Sequence, residues 1–269
     1  MLQIGCQTYT WEMLGDGWSG TPDDLVAAIA AAGYAGIEIT DHMIGGYAGR
    51  PAEFGNLLAA HGLELVAFAC ASDSGYTEPD RKASDLAMID RALDFVAAFP
   101  GATLSLGSAT VMSPGPREAK CDAAADLYNA AGELGRRAGV PVAVHPSSHH
   151  DTVLFDRADY DALFSRLDPD LVRWVPDTGH ILRGGMDILD TLRTYRDRIR
   201  YLHLKDVDAG GRWRMLGEGA CDVRAVVDVV AASPNFNSWL VLEEESDEAA
   251  ADPAAAVRTN RETLRALVA

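Results

Sequence analysis

Five ionisable side chains in the second half of the chain follow short apolar runs, and their types are those that bind metals or transfer protons. They are His145, Asp177, His180, His203 and Glu243. If the apolar runs are neighbouring parallel strands, these imidazoles and carboxylates converge at one end of a sheet. Nitrogen and oxygen donors of this kind could hold a divalent metal ion there. The sequence therefore favours metal-assisted chemistry at that end.

The segment PDTGH carries a carboxylate and an imidazole away from one strand end. Asp177 and His180 are three residues apart, so one of them could bind a metal while the other faces a substrate. The alternative is an aspartate that caps the next helix and a histidine that lies in a loop. The sequence leaves both interpretations open.

The run around His203 places a lysine on the same strand face. Lys205 is two residues further on, and alternate residues of a strand share a face. An isolated histidine between apolar neighbours is more often a core residue. A buried lysine beside it, however, needs an anionic partner. The pair favours a functional site and makes Lys205 a candidate for proton transfer.

Glu243 follows Leu240, Val241 and Leu242, a run too apolar to end in a carboxylate without a reason. We interpret it as a metal ligand or a base, with a solvated strand terminus as the alternative. Glu244 and Glu245 are interpreted as loop acids. The later part of the acidic stretch 243–248 is expected to form a solvated loop.

The segment HPSSHHDT, residues 145–152, holds three of the seven histidines. His145 lies at a strand end and is the best placed to be a ligand. His149, His150 and Asp151 lie further along the loop, where one of them could act as an acid or base near neutral pH. A surface loop that is rich in histidine by chance is the alternative.

Composition limits the class of protein. A chain of 269 residues that is 48% hydrophobic can bury one large core. Its formal net charge of −17 argues against binding to nucleic acid. Four scattered cysteines are expected to be buried thiols of a reducing compartment. The sequence has no basic leader, no apolar run long enough for a membrane span and no GxSxG motif. We expect a cytoplasmic protein with no membrane partner.

Short β-type runs alternate with longer amphipathic segments along the whole chain, which predicts eight βα units. The predicted strands are 2–8, 35–40, 64–69, 102–107, 141–145, 171–176, 200–204 and 238–243. The predicted helices lie near 21–32, 51–62, 82–98, 117–138, 157–167, 186–197, 222–232 and 252–267.

This repetition predicts an α/β fold, a single-domain (β/α)8 TIM barrel over residues 1–269, with its site at the carboxyl ends of the strands. A doubly wound open sheet is the alternative, but the chain has no glycine-rich phosphate loop. Local signals agree with the proposed helix boundaries. Thr21 and Pro22 form a helix start, while Gly33 and Gly62 stand where helices should end.

With these residues in view, the chain resembles the xylose-isomerase-like TIM-barrel superfamily of sugar and sugar-phosphate isomerases and epimerases, which includes the inosose dehydratases. The likeness covers nearly the whole chain, and its most specific parts are DTGH and HLKD. The resemblance implies one divalent metal, most often manganese, with cobalt, iron, nickel, zinc or magnesium as alternatives. It also implies a small sugar, keto-sugar or cyclitol as substrate. A homo-oligomer is compatible with it.

In that superfamily the residues that end the fifth to eighth strands, usually Glu, Asp, His and Glu, bind the metal. The last three correspond to Asp177, His203 and Glu243, and the first falls on His145. This is a departure, because a metal-bound imidazole is a poor base. The resemblance makes Glu243 a base and His180 a contact for substrate oxygen.

The implied reaction begins with removal of a proton beside a carbonyl and formation of an enediolate. Reprotonation gives an isomer or epimer, whereas loss of a β-hydroxyl makes the protein a dehydratase or other lyase. Asp151 or His149 could supply the second base. A non-catalytic sugar-binding barrel and an abasic-site endonuclease are the remaining alternatives, and the acidic charge weighs against the endonuclease.

Several polar and aromatic residues near the first two strand ends are candidates for substrate binding. They are Gln7, Tyr9, Trp11 and Glu38. For Tyr9 and Trp11, packing is an equal alternative. Arg183 could neutralise an acid or phosphate on the substrate, or it could have only a surface role.

Overall fold

The computed structural model describes residues 2–268 and contains eight parallel strands in one curled sheet. A two-stranded antiparallel hairpin lies between the seventh and eighth of these. In chain order the strands are β1 (Gln3–Gln7), β2 (Gly36–Thr40), β3 (Glu64–Cys70), β4 (Thr103–Leu106), β5 (Val142–Val144), β6 (Val172–Trp174), β7 (Leu202–Leu204), the hairpin strands β8 (Asp206–Val207) and β9 (Trp213–Arg214), and β10 (Trp239–Leu242).

The sheet closes into a barrel between β6 and β7. Seven neighbouring pairs run in the order β6-β5-β4-β3-β2-β1-β10-β7. Parallel bridges from Trp174 to Ile199 and from Asp177 to His203 join the two ends. The backbone N–H groups of Arg200 and His203 donate to Trp174 and Pro176 at 2.8 and 2.9 Å. The predicted (β/α)8 barrel is therefore confirmed, and its closure sets Asp177 beside His203.

Each barrel strand is followed by at least one helix before the next barrel strand. The helices are α1 (Tyr9–Glu12), α2 (Pro22–Ala31), α3 (Pro51–Ala60), α4 (Lys82–Val96), α5 (Arg117–Ala138), α6 (Arg157–Phe164), α7 (Thr178–Arg183), α8 (Ile188–Thr194), α9 (Val223–Ala231), α10 (Asp247–Ala251) and α11 (Pro253–Val268). Within residues 2–268, no helix has both the length and the apolar character that crossing a bilayer requires.

The alternation of side chains along the strands separates the interior of the barrel from the layer under the helices. Leu202 and Leu204 of β7 join the large core that the helices cover. Tyr201 belongs to a separate cluster with residues of β3, β5 and β10. Since alternate residues share a face, His203 and Lys205 follow Tyr201 on the inner side, toward the carboxyl end of the barrel.

Local chemistry fixes the helix boundaries as the sequence predicted. Thr21 and Asp24 form a reciprocal capping box at the start of α2. Gly33 and Gly62 adopt φ values of 84° and 68° just after their helices, a conformation that glycine adopts without steric cost.

All eight predicted strands and all eight predicted helices are present, but α1, α7, α10 and the β8–β9 hairpin were not predicted. The expectation of a solvated loop after Glu243 is wrong for part of the acidic stretch. Ser246 caps α10, which begins at Asp247. Of the four free cysteines, Cys6, Cys70 and Cys121 are buried, and Cys221 is partly exposed.

Candidate active site

Four of the predicted residues bring their polar atoms together at the carboxyl end of the barrel. One donor atom from each of His145, Asp177, His203 and Glu243 lies within 4.8 Å of the others. Asp177 Oδ2 is 3.7 Å from His145 Nε2 and 3.8 Å from His203 Nδ1. Glu243 Oε2 is 2.9 Å from His203 Nδ1. We call these four residues the ligand cluster.

Asp177 serves the fold and the ligand cluster at the same time. Its Oδ1 accepts a hydrogen bond from the backbone N–H of His180 at 2.7 Å and so caps α7. The cap fixes the carboxylate and leaves Oδ2 directed at the other three residues. The capping and ligand interpretations of Asp177 are therefore compatible, whereas His180 lies in α7 and not in a loop.

Three buried polar atoms of the ligand cluster have no hydrogen-bond partner. They are His145 Nε2, Asp177 Oδ2 and His203 Nδ1. The approach of His203 Nδ1 to Glu243 is close, but it lacks hydrogen-bonding alignment. Leaving buried polar atoms unpaired costs about 1–3 kcal/mol each, and a divalent cation would satisfy all three. The residues present therefore fit a metal of the Mn, Co, Fe, Ni or Zn type.

Glu38 orients His203 from behind. The Nε2 of His203 lies 2.7 Å from Glu38 Oε2, and Gln7 Nε2 donates to the other oxygen of Glu38 at 3.1 Å. A carboxylate at Nε2 favours a proton on that nitrogen and turns Nδ1 toward the ligand cluster. Both oxygens of Glu38, a predicted substrate contact, are therefore engaged by the protein itself.

Buried charges shift the pKa values of three members of the ligand cluster. Burial lowers the pKa of His203, but the carboxylates of Glu38 and Glu243 outweigh it and raise the pKa to about 10. Burial would raise the pKa of Asp177 and of Glu243. For Asp177, the positive charge of Lys205 holds the pKa well below its usual range, and for Glu243, Lys205 and His203 do so. Both carboxylates are therefore ionised at neutral pH.

Lys205 has the anionic partners that its burial requires. Its Nζ donates to Glu243 at 2.6 Å, bonds Glu245, and lies 3.9 Å from Asp177. Burial opposes the charge on Lys205, but these three carboxylates outweigh it and raise the pKa above its ordinary value. Lys205 is therefore held as a cation, which makes it a poor proton donor.

His180 is a buried, neutral imidazole at the cavity wall. Burial lowers its pKa well below the ordinary value. Its Nδ1 accepts from the backbone N–H of Ser148 at 3.1 Å and lies 2.8 Å from Ser148 Oγ. In the neutral ring Nε2 then carries the proton, so His180 can donate to a substrate oxygen.

Glu245 is not the solvated loop acid that the sequence predicted. Its side chain is only 5% exposed, and its Oε2 lies 2.9 Å from His149 Nε2. Glu244 is buried as well, and it accepts from the backbone N–H of Ser246 at 2.7 Å and from the side chain of Asn260. Contacts with Lys205 and His149 keep Glu245 in the interior. Hydrogen bonds from Ser246 and Asn260 do the same for Glu244.

The remaining candidates fall in different environments. Tyr9 lines the cavity, and burial together with the charges of Glu245 and Glu243 raises its pKa to about 12. Trp11 is 3% exposed and belongs to the main hydrophobic core, which agrees with the packing alternative. Asp151 pairs with Arg117 at 2.9 Å on an exposed surface. Arg183 stacks on Trp213 at 4.6 Å. Asp151 and Arg183 are not among the residues that line the cavity.

The cavity above the ligand cluster has a volume of about 240 Å³, and both polar and apolar residues form its wall. The cavity is also lined by residues that the sequence analysis did not select. Thr40 and Ser105 lie near the carboxyl ends of β2 and β4, while His42, Ser72, Ser108 and Thr110 follow the ends of β2, β3 and β4. Extending the strand-end rule to every predicted strand would have found most of them.

The sequence of the chain is similar to that of a known family and of a curated relative. A family model described as a xylose isomerase-like TIM barrel matches residues 26–267. An inosose dehydratase from Lacticaseibacillus casei is 30% identical over 140 residues, which are 45% of this chain and 46% of the relative. The chain thus aligns with about half the length of this curated relative.

Solved structures share the fold over almost the whole chain. A 3-keto-D-glucoside 4-epimerase from E. coli has a TM-score of 0.77 at 20% identity and covers 99% of this chain and 100% of its own. The protein IolI, solved with a bound zinc atom, has a TM-score of 0.78 at 15% identity, over 99% and 98% of the two chains. At these identities the likeness shows the fold alone.

Proposed function

Because the chain belongs to the xylose isomerase-like TIM barrel family, we propose that it is a divalent-metal-dependent isomerase or epimerase. Its substrate would be a sugar, a keto-sugar or a cyclitol, and the reaction would pass through an enediolate. The observation that carries this proposal is the set of three buried, unpaired polar atoms that converge with Glu243 in the ligand cluster.

His145, Asp177, His203 and Glu243 would hold the metal, with manganese as the first candidate. The zinc in IolI makes zinc a reasonable second. When bound, a divalent ion of this kind acts as a Lewis acid that polarises a carbonyl and stabilises the negative charge of an enediolate. Glu38 keeps the His203 ring turned toward the site.

Glu243 would take the proton from the carbon beside the carbonyl, since its carboxylate lies on the cavity wall at the end of β10, beside the other members of the ligand cluster. Lys205 bonds Oε1 of Glu243 and so fixes the orientation of the carboxylate. His180 would donate its Nε2 proton to a substrate oxygen and fix the substrate. Electrons from the broken C–H bond pass to the carbonyl oxygen, and return of a proton to carbon completes isomerisation.

A dehydratase that uses the same ligand cluster is the second candidate, and one specific observation favours it. The fifth strand is followed by His145, and a metal-bound imidazole is a poor base. His145 therefore stands where two-base epimerisation would use a carboxylate. The partial match to inosose dehydratase points the same way. In this outcome the enediolate loses a β-hydroxyl as water.

The test is a screen of the metal-loaded protein against keto-sugars, inososes and keto-glycosides in deuterated water. Incorporation of deuterium at a carbon-bound position, detected by NMR in recovered substrate or product, would support proton abstraction. Product analysis then separates an isomer or epimer from a dehydrated product. Asp177→Ala is the control that should lose both metal and exchange. Exchange that persists undiminished in metal-free Asp177→Ala would contradict the proposed function.

A further inference from the structure

A second carboxylate–imidazole pair lies beside the ligand cluster. His149 lines the cavity, and its Nε2 is 2.9 Å from Oε2 of Glu245, which lies almost wholly out of solvent. Glu245 is not among the residues that line the cavity, so it supports the ring from behind. Such an arrangement orients the ring and fixes which ring nitrogen carries a proton.

Contacts on both carboxylate oxygens hold the Glu245 side chain in one orientation. Lys205 occupies its other oxygen, Oε1, and also bonds Glu243. The ring of Trp213, on β9, lies 4.5 Å from Lys205 Nζ and 5.7 Å from the His149 ring. Trp213 therefore covers the lysine and packs against the histidine.

We propose that His149 is the second proton-transfer group of the reaction and that Glu245 is the residue that positions it. This inference rests on the proposed function. The Nε2–H group of His149 donates to Glu245, and Nδ1 is the nitrogen that exchanges a proton with the substrate. Lys205 links the His149–Glu245 pair to Glu243 as a fixed positive charge.

Protons and electrons balance over the two steps. Glu243 takes the C–H proton, and the electron pair of that bond forms the enediolate. The imidazolium of His149 then gives its Nδ1 proton, either to the neighbouring carbon in isomerisation or to the departing hydroxyl in dehydration. His149 is left neutral and Glu243 protonated, and proton exchange with solvent restores both groups.

A second metal ion is the competing explanation, because donor atoms of His149, His180 and Glu245 also lie within 4.8 Å of one another. Two contacts argue against it. The N–H of Ser148 donates to His180 Nδ1, so the other nitrogen of the neutral ring carries a proton and has no free lone pair. Glu245 contacts Lys205 through Oε1 and His149 through Oε2, so neither oxygen is free for a metal. Proton transfer therefore fits this pair better than metal binding.

The test compares His149→Gln and Glu245→Gln with Glu248→Gln and His61→Gln, which change exposed residues away from the cavity. Metal content and the thermal unfolding transition are measured first for every variant. We expect the wild-type metal stoichiometry in all four. Turnover should fall by about a hundredfold or more in His149→Gln, in the range of a lost acid or base, while KM stays within about twofold. Glu245→Gln should show a smaller loss of kcat, and Glu245→Asp should recover part of it.

A readout independent of activity is nitrogen-15 NMR of the His149 ring. In the wild type the neutral ring should carry its proton on Nε2, and in Glu245→Gln the two tautomers should mix. An identical tautomer in both proteins would overturn the positioning role. Loss of one metal equivalent in Glu245→Gln would overturn the pair in favour of a second metal site.

The outcomes separate this inference from the proposed function. Full turnover in His149→Gln, together with deuterium exchange in the wild type, would refute the role of His149 and leave metal-dependent proton abstraction standing. If metal-loaded wild type exchanges no carbon-bound hydrogen in any candidate substrate, the proposed function and the proton-transfer role of His149 fail together.

Discussion

Metal binding should release one proton from His203, and the apparent affinity should therefore rise steeply with pH. In the metal-free protein the carboxylates of Glu38 and Glu243 overcome the effect of burial and raise the pKa of His203 to about 10. A metal can bind Nδ1 only after that nitrogen loses its proton. Asp177 and Glu243 are already ionised, because their pKa values are held well below the usual range.

The size of the effect follows from the distance between the pKa and the working pH. At about pH 7 the neutral imidazole of His203 makes up about one part in a thousand, since three pH units separate it from its pKa. At about 1.4 kcal/mol per unit, proton competition costs metal binding about 4 kcal/mol. Apparent affinity should therefore increase about tenfold per pH unit between about pH 6.5 and about pH 8.5.

The assay is isothermal titration with a divalent metal in buffers of different ionisation enthalpy, which counts the protons released per metal bound. Glu38→Gln is the matched variant, because an amide oxygen can still accept from His203 Nε2 but carries no charge. Removing the charge lowers the pKa of His203, so the dependence of affinity on pH should flatten at a lower pH than in the wild type.

Two results would contradict the roles assigned to His203 and Glu38. Metal binding with no proton release near pH 7 would mean that His203 is neutral before the metal arrives or that it is not a ligand. An unchanged pH profile in Glu38→Gln would mean that Glu38 does not set the charge of His203.

Further variants probe other parts of the site. Glu243→Gln should lower turnover by about a hundredfold or more. Glu248→Gln, which changes an exposed residue of α10, should leave turnover unchanged, and equal losses in the two variants would show that Glu243 is not the base. Gly179→Ala puts a Cβ 2.5 Å from Trp213 Cζ3, so turnover should fall with metal retained, and normal kinetics would show that Trp213 need not stay in place. Trp11→Ala should destabilise the fold by about 3–5 kcal/mol in denaturant titrations, and a selective rise in KM at unchanged stability would return Trp11 to the substrate site.

The barrel and the four strand-end residues could be predicted because both depend on local patterns. Apolar runs at regular spacing mark strands, and a parallel barrel collects the residues that follow them at one end. His145, Asp177, His203 and Glu243 were found in this way without knowledge of any contact. The later assignment of Glu38 as the partner of His203 depends on a contact between residues 165 positions apart, which no local pattern reveals.

The errors have a similar physical origin. The run of acids after Glu243 has the composition of a solvated loop, but Lys205, 40 residues earlier, draws Glu245 out of water. For Trp11, which follows a strand end, the sequence left substrate contact and packing as equal alternatives. The short helix α1 turns the chain there and places Trp11 in the core, while Tyr9 stays at the cavity.

Elemental analysis of the purified protein tests whether the ligand cluster binds one divalent metal ion. Asp177→Ala removes the carboxylate whose Oδ2 is buried and unpaired. Asp151→Ala removes an exposed carboxylate that pairs with Arg117 and serves as the matched control. We predict one equivalent of metal in the wild type and in Asp151→Ala, and none in Asp177→Ala. The same metal content in both variants, or no metal in the wild type after loading with manganese or zinc, would contradict the assignment.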